Sequence, residues 1–103
     1  SKRFEEIDRK NRLLNIVSSQ NGTADIKIYQ DINIYVSELE TNKTLDFKIE
    51  KNRQVYFVQI EGSSSVNEIT LNDGDAMEIL DVEEIKIKAL ENSHFLFIEM
   101  AKV

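Results

Sequence analysis

From about residue 13 onward, apolar and polar residues alternate in short runs that Asn, Asp or Gly interrupts roughly every ten residues. Ile26 and Ile28 flank Lys27, and Asn33 and Tyr35 separate Ile32, Ile34 and Val36. Asp46 and Lys48 separate Leu45, Phe47 and Ile49, and Lys86 separates Ile85 from Ile87. A period of two built from β-branched and aromatic residues is the pattern of a half-buried strand, because successive side chains leave opposite faces. Turns are expected at Asn21-Gly22, Thr41-Asn42-Lys43, Lys51-Asn52, Glu61-Gly62, Asn72-Asp73-Gly74 and Glu91-Asn92-Ser93. Short strands with turns this frequent predict an all-β sandwich or barrel. Proline is absent, so every sharp bend relies on Gly, Asn or Asp. Phe4 to Arg12 carries too thin an apolar stripe for a stable helix and reads as a linker with at most one helical turn.

Two runs break the alternation. Val55-Tyr56-Phe57-Val58 continues to Ile60, and Phe95-Leu96-Phe97-Ile98 continues to Met100. A strand apolar on both faces needs cover on its outside as well as its inside.

Composition removes several functions. The chain has 103 residues, room for one domain with a modest core. Its formal net charge of −6 argues against nucleic acid, which demands a basic face. No apolar run approaches a membrane span. Cysteine is absent, which removes disulfides and thiol nucleophiles and fits a cytoplasmic setting. Asn21-Gly22-Thr23 and Asn42-Lys43-Thr44 match a glycosylation triplet by letter only. The opening Ser1-Lys2-Arg3-Phe4 reads as an internal stretch of a longer protein.

Candidate chemistry is sparse. His94 is the one imidazole and has no partner, so a solvated or capping role is expected. Asp73-Gly74-Asp75 and Glu83-Glu84 offer too few oxygens for calcium and read as ordinary turns. Gly62-Ser63-Ser64-Ser65 lacks the features of a phosphate loop or nucleophile elbow and reads as a flexible hairpin start. Arg53 and Tyr56 are candidates to hold an anionic or phenolic ligand, against the plainer reading of a surface charge beside a packing tyrosine. Asp31 reads as a turn residue capping backbone amides.

The series Asn11-Arg12-Leu13-Leu14-Asn15-Ile16-Val17-Ser18, Asn21-Gly22, Ile28-Tyr29-Gln30-Asp31 and Ile34-Tyr35 resembles the C-terminal half of pirin-like bicupins, which include quercetin 2,3-dioxygenase-like proteins. The likeness continues through Val58-Gln59-Ile60-Glu61-Gly62, Val66-Asn67, Leu71-Asn72-Asp73-Gly74-Asp75-Ala76 and Phe95-Leu96-Phe97-Ile98-Glu99. Asn67-Glu68 departs from it, since the family often has Asn-Gly there. The resemblance implies a cupin-like jelly-roll barrel of about nine or ten short antiparallel strands, here over residues 13–103, with 1–12 as an inter-domain linker remnant. It also implies a metal-bearing barrel N-terminal to this one. Anchoring the cupin pattern on Gly62 and Gly74 puts the usual metal ligands at Ile49 and Lys51 (or Lys48 and Glu50 with the longer spacer), Val55 and Ile85, and no histidine occupies any of these places. Because ligand positions point into the barrel, the resemblance implies that Ile49, Val55 and Ile85 join Leu45, Phe47, Phe57 and Ile87 inside. It equally implies that Tyr56, Val58 and Ile60 form an outward strip on which another domain could pack.

The expected function is therefore a metal-free, non-catalytic C-terminal domain, not an enzyme by itself. It would support an N-terminal cupin domain of the same protein through Tyr56, Val58 and Ile60, and would need no cofactor of its own. The divalent metal would belong to the other barrel, and the whole protein would be a quercetinase-like dioxygenase or a metal-dependent regulator. As an isolated fragment the chain could form a homodimer through the same strip. A stand-alone small-molecule-binding barrel is the alternative, and it would require a polar lumen.

Overall fold

The structure is a computed structural model that describes residues 9–19, 26–28 and 31–102. The described residues form ten strands and no helix: β1 (Leu14–Ser19), β2 (Ile26–Ile28), β3 (Ile32–Leu39), β4 (Thr44–Lys48), β5 (Arg53–Glu61), β6 (Ser64–Val66), β7 (Ile69–Leu71), β8 (Ala76–Ile79), β9 (Glu84–Ala89) and β10 (Ser93–Ala101). They make a six-stranded sheet in the order β2-β1-β3-β10-β5-β8 and a four-stranded sheet in the order β4-β9-β6-β7. The crossed order is that of a jelly roll, in which neighbours in a sheet come from distant parts of the chain. Pairing is antiparallel with one departure from expectation: β1 and β2 run parallel.

The core lies between the sheets, where period-two parity put it. Phe57, Phe95, Phe97 and Val55 from one sheet meet Ile85, Ile87, Val66 and Leu71 from the other. Each side chain of this size, once fully buried, stabilises the fold by about 1.5–3 kcal/mol. The aromatics are the centre of it. Phe57 stacks on Phe95 with centroids 4.9 Å apart, and Phe97 meets Phe47 edge-on at 4.8 Å.

Positive φ falls where the sequence predicted bends. Asn42 (φ 70), Asn52 (φ 66) and Gly74 (φ 81) turn the chain between strands. Asn67 and Glu68 both adopt positive φ (47 and 70), the geometry of a mirror-image two-residue hairpin turn, with Glu at a position that favours Gly. Gly62 (φ 85) is required twice over, because an added Cβ would sit 2.1 Å from the Asn92 carbonyl oxygen.

One local expectation is corrected. The serines after Gly62 are not a flexible start: Ser64 is fully buried, and its Oγ donates to Ser93 Oγ at 3.0 Å. Ser93 Oγ lies 3.0 Å from the Ser63 carbonyl, so these hydroxyls satisfy one another inside the fold. Of the stretch read as a linker, residues 9–12 form a non-helical turn. That turn is bound to β3, with Asn11 N donating to the Glu38 carbonyl at 2.6 Å and Arg9 Nε to Glu38 Oε2 at 2.9 Å. Phe4 and the triplet at Asn21 lie outside the described residues.

Candidate functional site at the mouth of the barrel

Along β10 the inward positions read Phe95, Phe97 and then Glu99, a carboxylate that is only 7% exposed. A charge there is tolerated only if its neighbours complete its hydrogen bonds. In register beside it stand Asn33 on β3 and Val55 on β5. Asn33 Nδ2 donates to Glu99 Oε1 at 2.7 Å. Arg53 lies two residues before Val55 on the same face of β5. It donates Nε to Glu99 Oε2 and Nη2 to Oε1, the second at 3.0 Å. Its Nη1 also reaches Asp31 Oδ2 at 2.6 Å. Asp31 therefore closes an ion-pair chain rather than capping amides as its turn position suggested. Arg53 is equally far from a free surface charge, with 17% of its side chain exposed.

Tyr35 lies two residues beyond Asn33 on the same face, its ring 4.9 Å from that of Phe47 and 5.1 Å from that of Phe97. These groups, with Lys48 and Glu50, line an open cavity of about 430 Å³ where the ends of β3, β4, β5 and β10 converge. Burial foremost, and then the Glu99 charge, raise the Tyr35 hydroxyl above its ordinary 10.0, with Arg53 opposing. The hydrogen bonds to Glu99 raise Arg53 further above its already high value, so its charge is permanent.

The remaining sequence candidates are scattered. Tyr56 leaves the opposite face of β5 and is 42% exposed, so no single small ligand touches both it and Arg53. Ile49, Val55 and Ile85 are 8%, 1% and 0% exposed within the core, and Lys51 sits in an exposed turn. His94 lies on the outer face, its Nδ1 3.9 Å from Glu61 Oε1. The Asp73 and Asp75 carboxylates accept from the backbone amides of Gly62 (2.6 Å) and Asn72 (2.8 Å). Among the described residues, no three His, Cys, Asp or Glu side chains converge to hold a metal ion.

On the outside of the six-stranded sheet, Tyr56 and Val58 stand in register with Ile98 and Leu96 of β10. Ile60, at 36% exposed, extends the strip past the bulge opposite His94 and Phe95.

Glu99, Asn33 and Tyr35 are the residues that sequence reasoning missed. The signal was present: a glutamate sharing the inward parity of Phe95 and Phe97 must find a cation.

The comparisons with known proteins agree with this architecture. A family model described as the quercetinase C-terminal cupin domain matches residues 15–100. A pirin-like protein of Caulobacter vibrioides is 29% identical over 102 residues, which are 98% of this chain and 44% of that protein. A Pseudomonas aeruginosa protein provisionally named a quercetin 2,3-dioxygenase is 26% identical over 102 residues, again 44% of its length. The chain thus spans less than half of the curated relatives it matches. Among solved structures, YhhW from Escherichia coli superposes with a TM-score of 0.86 at 22% identity, over 99% of this chain and 42% of that one. Matched over 86 consecutive positions from Asn15 to Met100, this chain belongs to the quercetinase C-terminal cupin domain family.

Proposed function

We propose that this domain is the metal-free, non-catalytic half of a pirin-like bicupin, and that it supports a metal-bearing barrel N-terminal to it in the same protein. One observation carries the reading: among the positions where the cupin pattern puts its ligands, Ile49, Val55 and Ile85 are sealed in the core. Side chains of this kind supply no lone pair, and Lys51, like the longer-spacer positions Lys48 and Glu50, is exposed. The residues present do not fit a metal, and no chemical step is assigned to one here.

The outer strip of Tyr56, Val58 and Ile60 supports a docking role, because it exposes Tyr56 and Ile60 on the outer face with a partly buried Val58 between them. The clamp of residues 9–12 on β3 supports it too, since it fixes where the preceding chain enters the fold. A relative's length, more than twice that covered here, leaves room for the second barrel. The whole protein's activity is proposed as that of a metal-dependent dioxygenase acting through the other barrel, in keeping with the names of its relatives. A cytoplasmic location accords with the lack of cysteine. The rival reading, a stand-alone small-molecule-binding barrel, called for a polar lumen, and this lumen is filled by Phe57, Phe95 and Phe97.

Elemental analysis of this chain beside the full-length gene product tests the reading. Metal in the long form with none here is the expected result. Stoichiometric metal in this chain would overturn it.

A further inference from the structure

We infer that the cavity at the mouth of the barrel is a binding site for a neutral, saturated, polyhydroxylated ring, the chemistry of a pyranose. The site is separate from the outer strip and independent of whether that strip docks on a second barrel. Its size suits such a ligand: about 430 Å³ lies within the range of small-molecule pockets, roughly 300–1,000 Å³.

The case rests on which hydrogen-bonding capacity is spent and which is left. Arg53 has five N–H donors, and its bonds to Glu99 and Asp31 occupy four, leaving one on Nη1. Glu99 accepts from Arg53 twice and from Asn33 once, which leaves one of its roughly four lone-pair sites. Asn33 keeps its carbonyl oxygen and one amide hydrogen. The Tyr35 hydroxyl, the Lys48 ammonium and the Glu50 carboxylate make no hydrogen bond or ion pair with a described residue. Donors and acceptors are therefore interleaved around one opening, as a ring of hydroxyls that both donate and accept would require.

Charge and shape narrow the class. Three acids (Asp31, Glu50, Glu99) against two bases (Lys48, Arg53) leave a net −1, so an anionic ligand meets repulsion. A cation would find its strongest acceptors, Glu99 and Asp31, already taken by Arg53. Phe47 and Tyr35, packed edge-on to each other, both line the opening and contribute apolar ring surface between these polar groups, which suits the C–H bonds of a saturated ring. The Arg53–Glu99–Asn33 fork is ordered before any ligand arrives, so binding sacrifices little side-chain freedom. Lys48 and Glu50, exposed and without a partner among the described residues, are the groups that would close on the ligand.

The test is a 15N-resolved NMR titration of the 103-residue chain with methyl gluco-, galacto- and mannopyranosides, and with catechol as a planar hydroxylated control. The expected result is saturable binding of at least one pyranoside with a Kd of about 1 mM, its shifts centred on Asn33, Tyr35, Phe47 and Arg53. Lys48→Met and Glu50→Gln remove no side-chain bond among the described residues, and each should weaken that binding about fivefold or more. Phe47→Leu should weaken it similarly. Absence of saturable shifts with every pyranoside would overturn the assignment, as would binding by catechol alone. Shifts that map elsewhere, or that ignore all three substitutions, would overturn it equally. Metal content plays no part in this readout, so its failure leaves the structural reading of the domain standing.

Discussion

Arg53 and Glu99 meet side-on across β5 and β10, with Nε on one carboxylate oxygen and Nη2 on the other at 3.0 Å. Both side chains are largely removed from water, with 17% and 9% exposed. Removing one partner strands the other, which costs far more than the pair contributes as a unit. Arg53→Met and Glu99→Gln should each destabilise the domain by about 3 kcal/mol in urea unfolding. Replacing both together, Arg53→Met with Glu99→Leu, should recover most of that loss. Additive losses in the double variant would show that the two residues act separately.

Gly62 and Gly74 share a positive φ but not a neighbourhood. A Cβ at Gly62 collides with the Asn92 carbonyl oxygen, whereas one at Gly74 meets nothing within 4 Å. Gly74→Ala should cost about 1–2 kcal/mol, the backbone penalty alone. Gly62→Ala should cost clearly more, because the 61–62 corner and the turn before β10 must also separate. Equal losses in thermal unfolding would refute the steric account.

The hairpin between β6 and β7 holds Glu68 at φ 70, where Gly is at ease. Glu68→Gly should stabilise the chain by about 0.5 kcal/mol, the left-handed strain relieved minus the added freedom of the unfolded chain. A rise in Tm of roughly 2–4 °C is the expected reading. A fall would mean that Glu68 makes a compensating contact.

Tyr35 ionises late, because burial and Glu99 both oppose a phenolate there. A raised folded pKa means that the neutral form is favoured in the fold. The associated stability is complete below the unfolded value near 10.0 and is lost as pH rises through the folded value. Ultraviolet difference titration of wild type against Tyr35→Phe should isolate a phenol that titrates above 10.0. Glu99→Gln should lower that value, and a Tyr35 that titrates at or below 10.0 would contradict the geometry.

Strand parity was legible in the sequence because it is local. The side chain of each residue leaves the opposite face from its neighbours, so Ile49, Ile85 and Ile87 fell on the apolar face of alternating runs. Val55 and Phe57, in a run apolar on both faces, were read as inward only through the cupin pattern. Gly62, Gly74, Asn42 and Asn52 marked corners for the same reason, since left-handed backbone is a property of single residues. Pairing was not legible. That β10 lies between β3 and β5, which puts Glu99 beside Asn33 and near Arg53, depends on residues 66 and 46 positions away in the chain. No periodicity records that distance. The same limit explains Asp31, a plausible turn cap by local chemistry, which the jelly-roll crossover delivers to Arg53 instead. It explains the serines after Gly62 as well, polar in composition yet buried, because Ser93 arrives from the far side to complete their hydrogen bonds. Which faces are apolar was thus settled residue by residue along the chain. Which charges and hydroxyls meet at the mouth of the barrel was decided only when distant strands came into register.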